Sequence, residues 1–399
     1  MPERCAPLRV TAVTVSAQLG GTERVLLDFA NHAFEHDIAL RVVTPQPGPL
    51  LEILNDTGVP ATVIPAPAMM LRDSQRTAAL ASLPAALVGL AMWARRLARH
   101  PFVRETDAVL STGFKPHLAT ARLHPAPIVW HLHEFPPAVT GLFWRRLAHS
   151  RPAALIANSE AVGRAWREAG SGIVVVANGV DLDRFRPRVR SHWIHEQLGI
   201  PREHRLIGMP AVLARWKGQF EVLRAFDLVA ARHRDVHLVF VGGSIHDTVA
   251  ERVYEVELLR EIGKRDAGNA NRVHHLPFQA RIESVYPELD LVVRYSTRAE
   301  AFGRVILEAM ACGIPIIAAA EDGPTEIVTA GGWLVEPRNP AALARALSAA
   351  LAMDPAALRQ VGSRGRVRAE DRHSARRFAK EVAGVLWGVV RSPSSLRDS

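Results

Sequence analysis

The stretch that decides the fold reads EAFGRVILEAMACGIPIIAAAEDGPTEIV, from Glu300 to Val328. It begins in a loop, and its residue types predict a helix over Phe302–Cys312 that starts around Gly303. The apolar run Ile314–Ala318 follows and is predicted as a buried strand. Glycine and proline separate the two elements. The stretch is therefore one helix–strand unit of an alternating α/β fold.

The same alternation continues on both sides of this unit. Short β-branched apolar runs alternate with longer helical patterns, among them Thr22–Glu35 and Arg76–Arg99. Two successive arrays of this kind predict two doubly wound parallel sheets, which bind ligands beyond the carboxyl ends of their strands. The predicted strands are Val10–Val15, Ala39–Thr44, Ala61–Ile64, Ala108–Ser111, Ile128–Leu132, Ala154–Asn158, Ile173–Val176, Leu206–Met209, His237–Val241, Arg272–His275, Leu291–Arg294, Ile314–Ala318 and Trp333–Val335.

The alternation of strand and helix patterns is interrupted between Asn178 and Arg202, where the chain is polar and rich in arginine. We therefore expect an N-terminal domain over residues 1–185 and a C-terminal domain over 186–375. A helix over residues 376–390 is expected to pack back towards the first domain. The polar tail, residues 391–399, is expected to be disordered.

Composition restricts the class of protein further. The 399 residues are 48% hydrophobic and 22% charged, which is typical of a globular protein. The longest apolar stretch, Leu83–Ala94, is too short to span a bilayer, and no signal core follows Met1. We expect a cytoplasmic protein, with peripheral contact to the inner face of the membrane as an alternative. The net charge of +9 favours anionic partners without choosing among nucleotides, phospholipids, carrier proteins and nucleic acid.

Two motifs in the first half could carry chemistry. Gly20-Gly21-Thr22-Glu23 follows the first strand, so its backbone and helix N-terminus could approach a phosphate, although a plain turn would look the same. It is not GxGxxG, which argues against a nicotinamide-binding domain. His131, His133 and Glu134 end another strand. They could hold a substrate hydroxyl or only tie down a loop. Zinc is a weaker alternative, because no further ligands stand at a convincing spacing.

Two more motifs lie in the second half. Lys217, in Trp216-Lys217-Gly218-Gln219, opens a helix and offers a point charge beside free N–H groups, which suits a diphosphate. Glu300 is expected in a loop, and Glu308 on the second turn of the next helix could receive a ribose diol. The N–H groups of Phe302, Gly303 and Arg304 would face a phosphate. Two glutamates at this spacing alone could equally be a solvated helix face.

The Glu300–Val328 run resembles the signature of the family 4 retaining glycosyltransferases, which have the GT-B fold. The resemblance covers nearly the whole chain, up to about Val389, and the E-x7-E string is its most specific part. It implies two Rossmann-like domains that face each other across a cleft. Supporting marks occur in the same order: Gly20-Gly21-Thr22-Glu23, His133, Asn178-Gly179-Val180-Asp181 and Trp216-Lys217-Gly218.

The resemblance also implies roles for individual residues. The catalytic set would be His133, Glu300 and Lys217. Residues implied for the donor diphosphate are Gly20, Gly21, Arg215, Lys217, Phe302, Gly303 and Arg304. Residues implied for the donor sugar are His133, Glu300, Ala301 and Phe302, with Glu308 for the ribose. The family uses basic side chains and helix ends instead of a metal to stabilise the leaving diphosphate. Attack is described as front-face, with the leaving phosphate taking the acceptor proton.

Two positions depart from the family pattern. Where the family has an arginine, five residues before the lysine, this chain has Val212, and Arg215 is the nearby candidate to replace it. The usual glycine pair before the later glutamate is Asp322-Gly323 here. Asp322 would either remodel the sugar pocket or cap the next helix.

The resulting expectation is a metal-independent hexosyl- or N-acetylhexosaminyltransferase of bacterial glycoconjugate or secondary-metabolite biosynthesis. UDP-GlcNAc or UDP-glucose is the favoured donor, with GDP-mannose as the alternative and no further cofactor. The acceptor would be a small molecule or be linked to a lipid or carrier. A catalytically weakened sugar-nucleotide-binding subunit is the alternative function. A specific nucleic-acid binder is disfavoured, because no RNA-binding aromatic signature is present.

Aromatic residues stand beside arginines at Trp93–Arg99 and Phe143–Arg146, in the half that receives the acceptor in GT-B enzymes. Those positions are either a solvated helix face or a docking surface for an anionic acceptor. The sequence does not predict an oligomeric state.

Overall fold

The computed structural model describes residues 6–67, 83–121, 126–138, 140–150, 152–167, 172–243, 249–264 and 272–391. The chain forms two compact units, Met1–Gly179 with Ala375–Ser399 and Val180–Ser374. The first unit thus ends at Gly179 and not at residue 185. The expected tail lies outside the described residues except for Arg391. Residues 76–82 of the helix expected over Arg76–Arg99 also lie outside them.

The described part of the first unit contains a seven-stranded parallel sheet in the order β3-β2-β1-β4-β5-β6-β7. Its strands are β1 Leu8–Val13, β2 Ile38–Thr44, β3 Ala61–Val63, β4 Ala108–Thr112, β5 Ile128–Leu132, β6 Ala154–Ala157 and β7 Ile173–Val175. Its helices before residue 180 are α1 Gly21–Ala33, α2 Pro49–Asp56, α3 Leu83–Arg99, α4 Pro101–Arg104, α5 Phe114–Thr120, α6 Gly141–Ser150 and α7 Glu160–Arg167.

The described part of the second unit contains a six-stranded parallel sheet in the order β10-β9-β8-β11-β12-β13. Its strands are β8 Arg205–Pro210, β9 Val236–Val241, β10 Val273–Leu276, β11 Leu291–Arg294, β12 Ile316–Ala319 and β13 Gly332–Val335. Its helices are α8 Trp193–Leu198, α9 Gln219–Ala230, α10 Val249–Gly263, α11 Arg304–Ala311, α12 Gly323–Ile327, α13 Pro340–Ala352 and α14 Pro355–Arg372. Strand order reverses between β8 and β11, and such a switch point is where α/β sheets bind ligands.

The last helix, α15 Ala375–Arg391, belongs to the first unit and packs on α1. Phe378, Val382 and Leu386 are buried at four-residue spacing, which places one apolar stripe against the core. The indole nitrogen of Trp387 donates to the carbonyl of His36 at 3.1 Å, so the helix is also fixed by a directional bond. The chain therefore returns to its first unit after completing the second.

Each of the thirteen predicted strands overlaps an observed one, and two local expectations need correction. The helix expected over Phe302–Cys312 begins only at Arg304, because Gly303 is its N-cap with φ +100°. The polar stretch that precedes the second array contains α8. Within the described residues, no single helix meets the length and hydropathy needed to cross a membrane. Only α13 and α14 taken together, with a bend of 114°, would do so.

Candidate active site

The loop that carries Lys217 is fixed against the loop that follows β11. Lys217 ends a short 3-10 turn, and Gly218 then caps α9 with φ +79°. A Cβ on Gly218 would lie 2.1 Å from the carbonyl oxygen of Tyr295, so only glycine allows this approach. The amide of Thr297 donates to the carbonyl of Trp216 at 2.8 Å. The switch point thus brings these two distant segments together.

Glu300 is the centre of a buried cluster at this point. Its Oε1 accepts from Nη2 of Arg294 at 2.5 Å and from Nζ of Lys217 at 3.4 Å. Its Oε2 accepts from the hydroxyl of Ser296 at 3.0 Å. The Glu300 and Lys217 side chains are only 14% and 11% exposed, and Arg294 is 2% exposed. We refer to Lys217, Arg294, Ser296 and Glu300 as the Glu300 cluster.

Electrostatics in the Glu300 cluster favour an ionised carboxylate. Burial opposes the charge on Glu300, but Arg294 and Lys217 outweigh it and hold the pKa of Glu300 at about 2. Burial lowers the pKa of Lys217 to about 7, and repulsion from Arg294 adds to this while Glu300 counteracts it. The cluster therefore combines a fixed anion, a fixed cation and a lysine whose charge depends on its surroundings.

Glu308 is held separately, on α11. Its Oε2 accepts from the hydroxyl of Tyr286 at 2.7 Å, and its Oε1 accepts from Nε of Arg304 at 2.9 Å. The carboxylate is buried, so it is not the solvated helix face that the spacing alone allowed. Burial raises the pKa of Tyr286 well above its usual value, and the charge of Glu308 adds to this, so the phenol stays a donor. The Arg304 side chain is thus engaged with Glu308.

Among the described residues, the chain between the two glutamates has backbone amides without a partner just before α11. Phe302 is buried against the ring of His373, and Ala301 is partly buried beside it. Within the described part of the chain, the amides of Phe302 and Gly303 donate no hydrogen bond. Two N–H groups beside a buried carboxylate are available for oxygen atoms of a ligand.

Asp322 stands in a backbone conformation that favours glycine, with φ +44° and ψ −117°. It is the N-cap residue of α12, yet its side chain makes no capping hydrogen bond. Burial raises the pKa of Glu321, and the negative charges of Asp322 and Glu300 contribute to the increase. The amide of the next residue, Gly323, donates to the carbonyl of Glu300 at 3.1 Å, so Asp322 lies beside the chain at Glu300. Capping does not account for its conformation.

Neither Val212 nor Arg215 places a positive charge beside Glu300. Val212 follows β8 and carries no charge, and its carbonyl accepts from Nε2 of the Gln219 side chain at 2.9 Å. Arg215 donates to Glu257 on α10 at 2.5 Å, and its guanidinium lies over the ring of Tyr254. Its side chain is 70% exposed and is not among the partners of Glu300. In this conformation Arg215 does not replace a cation at position 212.

Gly20 and Gly21 lie in the first unit, at the switch between β1 and β4. Gly20 is the N-cap of α1, and a Cβ there would lie 2.7 Å from Oε2 of Glu23. Burial raises the pKa of Glu23 to about 7, although hydrogen bonds from the backbone of Glu23 and Gly20 and from Thr14 lower it. The negative charge of Glu134 adds to the increase, so the loops after β1 and β5 are neighbours.

Three buried histidines, His117, His131 and His133, lie after β4 and at the end of β5, and burial favours their neutral form. The rings of His131 and His133 lie 4.0 Å apart, and His117 meets the hydroxyl of Ser111 at 2.7 Å. Burial lowers the pKa of His133 to about 4. In the part of the chain that the structure describes, Nε2 of His131 and of His133 has no hydrogen-bond partner. A ligand hydroxyl is a suitable partner for such a nitrogen.

Three further residues of the second unit contact the predicted glutamates but are not predicted from the sequence: Arg294, Ser296 and Tyr286. Arg294 had a visible signal, since a charge closes the apolar run of a strand predicted to be buried. Ser296 and Tyr286 had none. Ser296 is a common loop residue four positions before Glu300, and Tyr286 meets Glu308 across 22 positions of chain. Among the described residues, no group of three or more His, Cys, Asp or Glu is placed to hold a metal ion.

Both halves of the chain match known family models. The model for Glycosyltransferase Family 4 matches residues 19–184, and the model for Glycosyl transferases group 1 matches residues 192–368. The chain resembles the D-inositol 3-phosphate glycosyltransferase of Xylanimonas cellulosilytica, at 32% identity over 61% of this chain and 59% of that protein. The enzyme of that name from Mycolicibacterium smegmatis is 33% identical over 57% of this chain and 49% of its own length. The chain therefore matches about half to three fifths of these relatives.

Among solved structures, Anabaena Alr3699/HepE in complex with UDP and glucose has a TM-score of 0.79 and 26% identity, covering 95% of this chain and 99% of that one. Its complex with UDP-glucose has a TM-score of 0.78 at the same identity and coverage. Two Rossmann-like units with these neighbours define the GT-B fold of glycosyltransferases. With both halves matched, the chain belongs to the family 4 glycosyltransferases.

Proposed function

We propose that this protein is a retaining glycosyltransferase that uses a nucleoside-diphosphate sugar, with a UDP-sugar favoured. The observation that carries the proposal is the Glu300 cluster at the β8–β11 switch point. A buried, ionised carboxylate can bind sugar hydroxyls, and the cations beside it can bind a diphosphate. Anabaena Alr3699/HepE holds UDP and glucose, which supports UDP as the nucleotide and a hexose as the sugar.

In the proposed reaction, the bond between the anomeric carbon and the phosphate oxygen breaks while the acceptor oxygen bonds to that carbon on the same face. The acceptor proton passes to the leaving phosphate, so no protein carboxylate serves as nucleophile. Lys217 would neutralise charge that develops on the diphosphate, and the free amides of Phe302 and Gly303 would assist it. Glu300 would orient the sugar and Glu308 the ribose. The family resemblance assigns His133, Gly20 and Gly21 to the same donor.

The acceptor is proposed from chemistry and from the relatives. Two matched proteins carry the name D-inositol 3-phosphate glycosyltransferase, so a phosphorylated polyol is the first acceptor to test. The net charge of +9 suits an anionic acceptor. Lipid- and carrier-linked acceptors are the next to test. UDP-glucose and UDP-GlcNAc are the first donors, and GDP-mannose is the third.

A thermal-shift screen with UDP, GDP, ADP and their sugars tests donor binding. A ligand at about a hundred times its Kd stabilises a protein by about 2.7 kcal/mol, which a melting curve resolves. The preferred sugar nucleotide is then incubated with each acceptor, with and without EDTA, and the anomeric configuration of the product is read by NMR. We expect retention and no effect of EDTA. The proposal fails if no nucleotide sugar shifts the melting temperature and none is consumed.

One observation favours a second function, a sugar-nucleotide-binding subunit with weakened catalysis. Val212 places no charge beside β8, and Arg215 is engaged with Glu257. Tight donor binding without transfer to any acceptor would support this alternative. Val212→Arg would then be expected to raise donor affinity.

A further inference from the structure

The guanidinium of Arg294 is incompletely paired although it is buried. Arg294 ends β11, and its side chain is 2% exposed. Nη2 donates to Glu300, but Nε and Nη1 have no hydrogen-bond partner in the part of the chain that the structure describes. Buried polar groups in proteins are almost always paired, because leaving one unpaired costs its full desolvation. Two unpaired donors beside the site therefore point to an acceptor supplied by a ligand.

The charges around Arg294 indicate which ligand. Arg294 and Lys217 both approach the same oxygen of Glu300, so two basic groups share one carboxylate. Ser296, the remaining partner of Glu300, is neutral. Two cations against one carboxylate leave a net positive charge in the cluster. Burial lowers the pKa of Lys217, and repulsion from Arg294 adds to this. An anion at this point would balance the charge and would accept hydrogen bonds from Nε and Nη1 of Arg294.

In the described part of the loop after β8, Lys217 is the one cation that reaches Glu300. After β8, position 212 is a valine, and Arg215 turns to Glu257 and the ring of Tyr254. Arg294 comes from β11, which is hydrogen-bonded to β8 at the switch point. A guanidinium on this strand can therefore serve the same region that a basic residue after β8 would serve.

We propose that Arg294 contacts the substrate, donating from Nε and Nη1 to phosphate oxygens of the donor diphosphate. Together with Lys217 it supplies the positive charge at the leaving group, and its third nitrogen holds Glu300 in place. This assignment rests on the proposed function, since it names a second cation in the same donor site. It also gives a physical reason why Val212 is compatible with transferase activity.

The test compares wild type, Arg294→Met and Arg190→Met by calorimetry with UDP and with uridine. Arg190 pairs with Asp290, the residue just before β11, so Arg190→Met removes a guanidinium near the opposite end of the same strand. We expect Arg294→Met to weaken UDP binding by about tenfold to a hundredfold, as for a lost bond to a charged group, and to leave uridine binding unchanged. Arg190→Met should bind UDP like wild type.

Unchanged UDP affinity in Arg294→Met would overturn the assignment, and so would an equal loss for UDP and uridine, which indicates a structural role. If Arg294→Met does not fold, Arg294→Gln carries the same comparison, since its amide can still donate to Glu300. Inorganic pyrophosphate separates the two proposals. If wild type binds no nucleoside diphosphate but binds pyrophosphate through Arg294, the proposed function fails and the anion site stands. If wild type binds neither, both fail.

Discussion

The charged side chains at the two ends of β11 differ in how completely they are hydrogen-bonded. Before its amino end, Asp290 accepts from both terminal nitrogens of Arg190, at 3.3 and 2.9 Å, and from the amide of Leu206 at 2.8 Å. At its carboxyl end, Arg294 leaves two buried nitrogens unpaired and Lys217 has a lowered pKa. The first arrangement is complete without a ligand. The second is not, which is the difference expected between a structural pair and a binding site.

The strongest way to break this comparison is to remove the shared carboxylate. Glu300→Ala leaves Arg294 and Lys217 without their anion and removes the proposed sugar contact. We expect kcat to fall by about a hundredfold or more, in the range found for loss of one electrostatic contact. Steady-state transfer assays measure it. The matched control is Glu283→Ala, which removes a buried carboxylate paired with Arg184 outside the site. Full turnover in Glu300→Ala would refute its role.

The next largest effect is expected near the other end of the strand, and it concerns stability. Asp290→Ala leaves the amide of Leu206 and the guanidinium of Arg190 without their acceptor. We expect the free energy of unfolding to fall by about 2 kcal/mol, measured by urea denaturation. UDP affinity at a temperature where the variant is folded should not change. A tenfold loss of UDP affinity here would show that the two ends are not functionally distinct.

The pH dependence of UDP binding tests the role of Lys217 at the carboxyl end of β11. Free Lys217 is charged below its pKa of about 7 and increasingly neutral above it, whereas Arg294 stays charged. A diphosphate favours the charged lysine, so binding above pH 7 takes up a proton and affinity falls by up to about tenfold per pH unit. Calorimetry in buffers of different ionisation enthalpy measures the uptake. Lys217→Gln should abolish this dependence. Flat affinity between pH 7 and 9 would contradict the expectation.

The smallest predicted effect tests strain at the same edge of the sheet, after β12. Asp322→Gly removes a side chain from a backbone conformation that favours glycine, so we expect the protein to gain about 1 kcal/mol of stability. Thermal unfolding measures the gain. Asp37→Gly, at an exposed aspartate with φ +56° in the first unit, is the matched control. If Asp322 also contacts the donor sugar, the stabilised variant will have a higher KM for the sugar nucleotide. No gain in stability would mean that the conformation is not strained.

Much of the fold could be predicted from residue patterns alone. Parallel strands are buried on both faces and read as short apolar runs, and all thirteen predicted runs overlap observed strands. The errors have local causes. Gly303 delays the start of α11, and α8 forms inside a stretch whose polarity suggested a linker.

The candidate site was predictable only in part. Residue types and spacing indicate Glu300, Lys217 and Glu308, and the structure places the first two together and all three in the second unit. Their roles towards a donor stay predictions. Nearness in sequence suggests Arg215 as the replacement for an arginine at position 212. Its side chain instead donates to Glu257 and lies over the ring of Tyr254. Sequence distance cannot show which way a side chain turns.

The sequence by itself determined the alternation of strands and helices, the family, and the identity of the carboxylates, because these depend on local composition and spacing. Only the tertiary structure decided the partners. Arg294 and Ser296 reach Glu300 across only six and four positions of chain. Strand order brings β8 beside β11, so that Lys217 meets the same carboxylate across 83 positions. It likewise sets Tyr286 against Glu308. Such contacts arise from the packing of distant segments, which no local pattern specifies.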